Sequence, residues 1–498
     1  MLEELAARAD ALAVPLGLAA MSAVWAYDAY IRWRLPAHET PTAHGTAHFA
    51  DRAELLRAGL MGDDGLRVGR WRGKPLRLKT DRHLCTLAPT RSGKGVAAII
   101  PNLLTYAGSA IVIDPKGEAA AITARRRRQM GQEVYIVDPF GVTGAASAKF
   151  NPLAGLTGES PDLVEDAAIL AQALVPEGQG DDSHWLNEGR ALLMGLILYV
   201  ATTEPAAMRN LGQVRKLLTQ APAPFAAMLA NMAESTAAGG LVARAAARLM
   251  QKSEREKSSV ISTAQAQTHI IDSPRLVENL SGSDFNFGDL KAKPATVYIV
   301  LPADKLVAFG RWLRLLVSQA IVELVRKSGR PKRPVLFILD EFAALGYLEP
   351  VETAMGLLAG YGVQLWPILQ DLSQLRDLYP HRWPTFLGNA GLVQAFGCAE
   401  TTTAEWLSSR LGNRTVTTRQ QSMAGAAVGG VGDNHYSQSV SVTSRPLMTP
   451  DELMRLPADI EILLMPGHAP ALVDKLAYFR DREYAGLFDA NPWRADAA

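Results

Sequence analysis

Cysteine is nearly missing from this chain, with two residues, Cys85 and Cys398, in 498. They lie far apart in apolar, strand-like runs, which excludes a disulfide framework or a cysteine metal cluster and fits a reducing compartment. An excess of one charge is also lacking. Lys and Arg total 51 against 50 Asp and Glu. No strong nucleic-acid field is therefore written into the composition, and any basic surface must be local or made by assembly. A secretory leader is not apparent, because the first ten residues carry Glu3, Glu4, Arg8 and Asp10 and no cleavage-type site follows. Long apolar runs are scarce. The uncharged stretch Ala11–Tyr27 is interrupted by Pro15 and Gly17 and ends among Trp25, Tyr27, Tyr30 and Trp33, beside Arg32 and Arg34. That edge has the form of an interfacial aromatic belt with a positive-inside flank, so the stretch is a candidate single membrane anchor with everything after Arg34 cytoplasmic. A soluble helix is the alternative.

What is present describes a folded protein of more than one domain, with 48% hydrophobic and 20% charged residues. Residues 36–45 read as a linker, and His44 and His48 read as loop histidines. A short helix around Asp51–Ala58 and a hairpin-like run from Leu66 to Leu78 lead into the apolar run Leu84–Leu87. Strands and helices then alternate, through Ser109–Asp114 and Glu133–Asp138, as in a parallel sheet with crossover helices. Arg125–Arg128 is expected to form a solvated helix face. Between about Pro161 and Ser273 strand-like runs vanish, and Ala, Leu and Met recur at helical spacing, which predicts an all-helical insertion. The α/β pattern resumes at Thr296–Pro302, continues through a helix of about Phe309–Arg326, and gives further strands at Pro334–Phe342, Gln364–Gln370, Leu392–Phe396 and Glu461–Met465. The Gly-, Ser-, Gln- and Thr-rich segment Gln420–Arg445 is expected to be flexible.

The chemistry begins at Ala88-Pro-Thr-Arg-Ser-Gly-Lys-Gly95, directly after an apolar strand. A glycine-bearing turn there aligns backbone N–H groups for phosphates, and Lys94 adds a mobile charge for the outer ones. Pro89, Thr90, Arg91, Ser92, Gly93, Lys94, Gly95 and Val96 are the candidate nucleotide-binding residues. Two positions depart from the usual P-loop: Ala88 replaces its first glycine, and Gly95 replaces its magnesium-binding hydroxyl. An apolar strand ending in Asp340-Glu341 supplies the second half of such a site, with Asp340 as the metal ligand and Glu341 as the base for an attacking water. Gln370 ends another apolar strand, where it can sense the γ-phosphate. In open α/β sheets such residues converge beyond the carboxyl ends of the strands. The set points to an ATPase of the RecA-like motor class, with Lys94, Glu341 and Gln370 catalytic and ATP and magnesium bound. Arg376, Arg382 and Arg410 are candidates for an arginine supplied in trans.

Several stretches together resemble the type IV secretion coupling proteins, the TraG-like conjugative ATPases. They are Ala88–Val96 with Ile100-Pro-Asn-Leu103, Asp114-Pro-Lys-Gly-Glu118, Phe150-Asn-Pro-Leu153 and Val300–Lys305. Leu339-Asp-Glu-Phe342 with Leu345-Gly346, Leu369-Gln-Asp371 with Gln374-Leu375, and Arg445–Leu453 complete the set. Within that family Gly95 is an accepted P-loop variant. The resemblance implies a RecA-like P-loop NTPase with a mainly parallel sheet, interrupted by an all-α domain that contacts substrate. The boundaries it suggests are 1–35 for an anchor, 36–160 and 274–485 for the two parts of the nucleotide-binding domain, 161–273 for the all-α domain and 486–498 for a tail. It implies a homo-hexamer at the cytoplasmic face of the bacterial inner membrane. There the family recruits relaxase-bound DNA or protein substrates to a type IV secretion channel, with Gln370 coupling hydrolysis to movement. Family members often carry two membrane helices around a periplasmic domain, whereas one span at most fits before Pro36. An FtsK- or HerA-like DNA translocase and a weakly hydrolysing recruitment platform are the alternatives, and the helical insertion argues against the first.

Overall fold

The computed structural model describes residues 42–175, 183–424 and 435–493 and the isolated Trp25. The candidate anchor Ala11–Tyr27 otherwise lies outside the described residues, as do positions 494–498 of the expected tail. Among the described residues no helix is long and apolar enough to cross a membrane.

The larger of two compact units spans Phe49–Leu407 and Thr449–Ala498. Its centre is an 11-stranded sheet with the order β2-β1-β13-β12-β9-β3-β8-β7-β4-β6-β5. In chain order the strands are β1 (Leu66–Trp71), β2 (Lys74–Leu78), β3 (His83–Leu87), β4 (Ala110–Ile113), β5 (Glu133–Val137), β6 (Ala295–Ile299), β7 (Val335–Leu339), β8 (Val363–Leu369) and β9 (Ala390–Ala395). The smaller unit holds β10 (Asn413–Ala424) and β11 (His435–Pro446), and the sheet closes with β12 (Ile460–Leu464) and β13 (Ala471–Asp474). From β9 through β3, β8, β7, β4 and β6 to β5 every pairing is parallel. The sequence dictates this: β4 and β7 are unbroken apolar runs, β3 and β8 are apolar but for His83, Thr86 and Gln364, and all four are buried at every position, as strands covered on both faces must be. The other edge is antiparallel, with β12 on β9, β13 on β12, and the β1–β2 hairpin on β13. That hairpin turns at Arg72 and Gly73, both with positive φ, which matches the right-handed twist of the flanking strands.

A buried polar chain crosses this antiparallel join, one strand at a time. The Trp366 indole N–H donates to Thr86 Oγ1 at 2.8 Å, and Thr86 donates to Gln394 Oε1 at 3.1 Å. Gln394 Nε2 then donates to Glu461 Oε2 at 3.0 Å, so β8, β3, β9 and β12 are linked in a fixed register. Burial pushes the Glu461 carboxyl well above the usual carboxylate range.

Between β5 and β6 the described chain forms no strand. Helices run from Leu163–Leu174 to Pro274–Asn279. Their buried leucines, such as Leu170, Leu193 and Leu196, share one continuous core with Val297, Leu339 and Leu369 of the sheet.

Two expectations fail here. Arg127, in the four-arginine run, is fully buried. Its guanidinium donates to Thr296 Oγ1 at 2.7 Å, to Gly108 O at 2.7 Å, to Leu103 O and to Tyr106 O. Facing inward on the helix Glu118–Gln129, it caps carbonyls at the end of the helix Ile100–Thr105, while Arg125 pairs with Asp489 at 2.7 Å. Likewise, the segment Gln420–Arg445 is flanked and largely occupied by the antiparallel hairpin β10–β11, paired from Asn413↔Pro446 to Ala424↔His435. Its Thr and Val residues favour a pleated strand despite the polar composition. Positions 425–434 lie outside the described residues.

Candidate nucleotide site

The phosphate-binding turn follows β3, whose register is fixed when Ala88 N–H donates to Leu369 O at 2.8 Å. Ser92 N–H closes the turn onto Pro89 O at 3.0 Å, and Arg91 and Gly93 adopt φ of 63° and 91°. At Gly93 that backbone requires glycine. Gly95 is not required sterically, since a Cβ there would meet no atom within 4 Å. The helix after Lys94 opens with a wide turn, in which Ile100 N–H reaches Gly95 O, five residues back. Pro101 follows immediately and has no N–H to donate, and a widened turn lets a helix take up a proline without clash. Asn102 restores part of the pairing, its Nδ2 donating to Ala98 O at 2.8 Å.

Two strand ends, those of β7 and β8, meet this turn. Lys94 Nζ lies 2.7 Å from Asp340 Oδ1 and also donates to Glu341 Oε1. Gln370 Nε2 donates to Glu341 Oε2 at 3.1 Å, and Thr90 Oγ1 donates to Gln370 Oε1 at 3.1 Å. Glu341 is a non-glycine residue in the left-handed region, φ 52° and ψ 46°. Such strain is held only where the surroundings over-determine it, and here it turns the carboxylate back toward Lys94. Burial pulls the Glu341 carboxyl upward, but the Lys94 hydrogen bond and charge outweigh it and hold the group below the usual carboxylate range. At the more deeply buried Asp340 burial wins over Lys94, and the group lies above that range. Lys94 is raised, because the pull of the two carboxylates exceeds its own burial.

A cleft of about 500 Å³ opens over these residues, within the range of small-molecule sites. Of the expected binding residues, Thr90, Arg91, Gly93, Lys94, Gly95 and Val96 line it, together with Asp340 and Glu341, whereas Pro89 and Ser92 line the adjoining hollow. Gln370 reaches the cleft through Glu341. Neither Arg376, stacked over Trp383, nor Arg382, 3.1 Å from Glu352, lines it. Arg410 lies in the last turn of the helix Thr401–Leu411.

Motif reading missed the far wall. Asp114, Lys116 and Glu118 line the cleft from the turn after β4. Burial pushes the Asp114 carboxyl up to about 7, and it accepts from Ala120 N–H at 2.8 Å. The run Asp114–Glu118 was visible, but only as part of a resemblance. Lys475, just past β13, donates to Ser92 O at 3.1 Å and Phe396 O at 3.0 Å, bracing the phosphate turn from beneath. No local signal marked it.

The profile of the family described as type IV secretory system conjugative DNA transfer matches residues 45–491. The conjugal transfer protein TraG of Escherichia coli is 32% identical over 457 residues, covering 83% of this chain and 71% of TraG. Protein VirD4 of Agrobacterium fabrum is 29% identical over 466 residues, covering 90% and 67%. Among solved structures, the bacterial conjugative coupling protein TrwBdeltaN70 superposes with a TM-score of 0.66 at 20% identity, over 88% of this chain and 95% of that one. TrwB in complex with the non-hydrolysable ATP analogue ADPNP gives 0.65 at 19%, over 88% and 96%. The fold is therefore the RecA-like P-loop fold of that coupling protein.

Proposed function

The chain belongs to the type IV secretory system conjugative DNA transfer family, and on that premise we propose that it is the coupling ATPase of a conjugation or secretion system. It recruits relaxase-bound DNA, or protein substrates, and uses ATP hydrolysis to deliver them to the secretion channel. TrwB supplies a precedent for the ligands, having been solved with ADPNP and with ADP and Mg2+. The observation that carries the reading is the meeting of Lys94, Asp340, Glu341 and Gln370 at three strand ends in one cleft.

The residues fit a magnesium nucleotide. The turn Pro89–Gly95 offers backbone N–H groups and an open cradle at Gly93 and Gly95, and Lys94 carries the charge for the β- and γ-phosphates. Asp340 is the carboxylate that would hold the metal. Magnesium, when bound, neutralises charge developing on the phosphate oxygens. Glu341, held ionised by Lys94 and Gln370, takes the proton from the attacking water. Gln370 orients that carboxylate and links its state to β8. The site works in a homo-hexameric ring at the cytoplasmic face of the inner membrane.

The test is ATP hydrolysis by the full chain with and without single- and double-stranded DNA. DNA should stimulate turnover, and the stimulation should fall steeply with added salt, as phosphate contacts require. Turnover indifferent to both forms of DNA would remove DNA from the account and leave protein substrates.

A further inference from the structure

The turn after β4 lines the same cleft as the phosphate turn and is held by its own backbone. Asp114 N–H donates to Ile299 O at 3.0 Å, and Gly117 has φ 65°, where an added Cβ would meet Thr143 Cγ2 at 2.7 Å. Lys116 stands at the head of this turn, exposed and lining the cleft. It has no ion-pair partner among the described residues.

Residues 486–493, at the start of the expected tail, clamp this turn from outside. The Trp493 indole N–H donates to Lys116 O at 3.1 Å, and Asn491 Nδ2 donates to Glu118 Oε1 at 2.6 Å. Asn491 is itself buried, and its Oδ1 accepts from Trp493 N–H at 2.9 Å. Upstream, Leu487 and Phe488 pack with Ile100 and Ile122, while Asp489 N–H donates to Ile122 O at 3.0 Å. The same segment therefore grips the helix leaving the phosphate turn and the loop bearing Lys116.

We propose that Lys116 is a second phosphate-binding cation of this cleft, and that Asn491 and Trp493 are positioning residues that hold its loop in place. The proposal rests on the nucleotide reading above. Charge bookkeeping favours it: Lys94 is shared by Asp340 and Glu341, so Lys116 and Arg91 are the cations lining the cleft that remain for an anion. Lys116 lines the same cleft as Glu341, the residue that would face the phosphate under attack, so its ligand is the terminal phosphate. Its loss should weaken a triphosphate more than a diphosphate.

The test is equilibrium binding of fluorescent ATP-analogue and ADP probes to the full chain, with thermal melting of each variant. Lys116→Gln should weaken the triphosphate about tenfold and the diphosphate less than about threefold, the loss expected of one charge-assisted contact. Lys116→Arg should restore most of it. Asn491→Ala and Trp493→Ala should each weaken the triphosphate selectively by about threefold. Equal triphosphate affinity in Lys116→Gln and the parent, with Lys94→Ala abolishing binding, would overturn the role of Lys116 while sparing the site. Asn491 and Trp493 variants that melt lower yet bind both nucleotides as the parent does would overturn the positioning role. Unchanged binding in Lys94→Ala would overturn the nucleotide reading and this inference with it.

Discussion

At Thr90 one hydroxyl decides how the Gln370 amide is presented to Glu341. The Glu341 carboxylate only accepts, so Gln370 must turn Nε2 toward it, which leaves Oε1 for a donor, and Thr90 is that donor. Thr90→Val keeps the shape and removes the donor. We expect turnover to fall about three- to tenfold with ATP affinity unchanged, and Thr90→Ser to recover it, in steady-state kinetics beside equilibrium binding. Arg127 illustrates a different residue-level logic. Four carbonyl and hydroxyl acceptors surround a guanidinium whose pKa burial lowers to about 10, with no carboxylate bonded to it among the described residues. Arg127→Ala should cost about 3–5 kcal/mol in denaturant unfolding, from a cavity plus stranded carbonyls, and Arg127→Lys should recover little because its single head cannot reach the same acceptors. The run Arg125–Arg128 gives no hint of this, since four identical side chains at consecutive positions necessarily face different ways around a helix.

At the scale of elements, legibility followed periodicity. β4 and β7 are apolar from end to end, β3 and β8 nearly so, and they could be read directly, as could the motifs at their carboxyl ends. The antiparallel edge was harder. β13, Ala-Leu-Val-Asp, has the burial pattern of a half-exposed strand and is too short to stand out. With it went Lys475 and the brace beneath the phosphate turn. The hairpin β10–β11 was hidden by composition, because its strands are rich in polar residues. The helix Leu306–Arg326 was expected, but not the work of Glu323 on it. That carboxylate accepts from Phe287 N–H at 2.8 Å and Gly288 N–H at 3.4 Å, and burial raises it to about 7. A carboxyl raised in the folded state binds its proton more tightly there, so its contribution to stability is complete below the unfolded value near 4.5 and is lost as pH rises through about 7. Denaturant unfolding across that window should show this loss, and Glu323→Gln should flatten it.

For the whole molecule, the separation of the two halves of the site along the chain is what the fold resolves. Asp340 and Lys94 are brought to 2.7 Å because β7, β8 and β3 are consecutive strands in the sheet. The helical stretch between β5 and β6 shares its core with the sheet, so those helices and the strands are joined by continuous packing. A motor that moves cargo needs that connection. On the function proposed above, the cleft hydrolyses ATP through Glu341. The most direct test of that claim is the paired measurement of ATP binding and DNA-stimulated hydrolysis for the parent chain and Glu341→Gln. The account predicts that the variant binds ATP as tightly as the parent and loses at least about a hundredfold in turnover, the usual worth of a general base. Equal turnover in the two proteins, or ATP binding lost together with turnover, would contradict it.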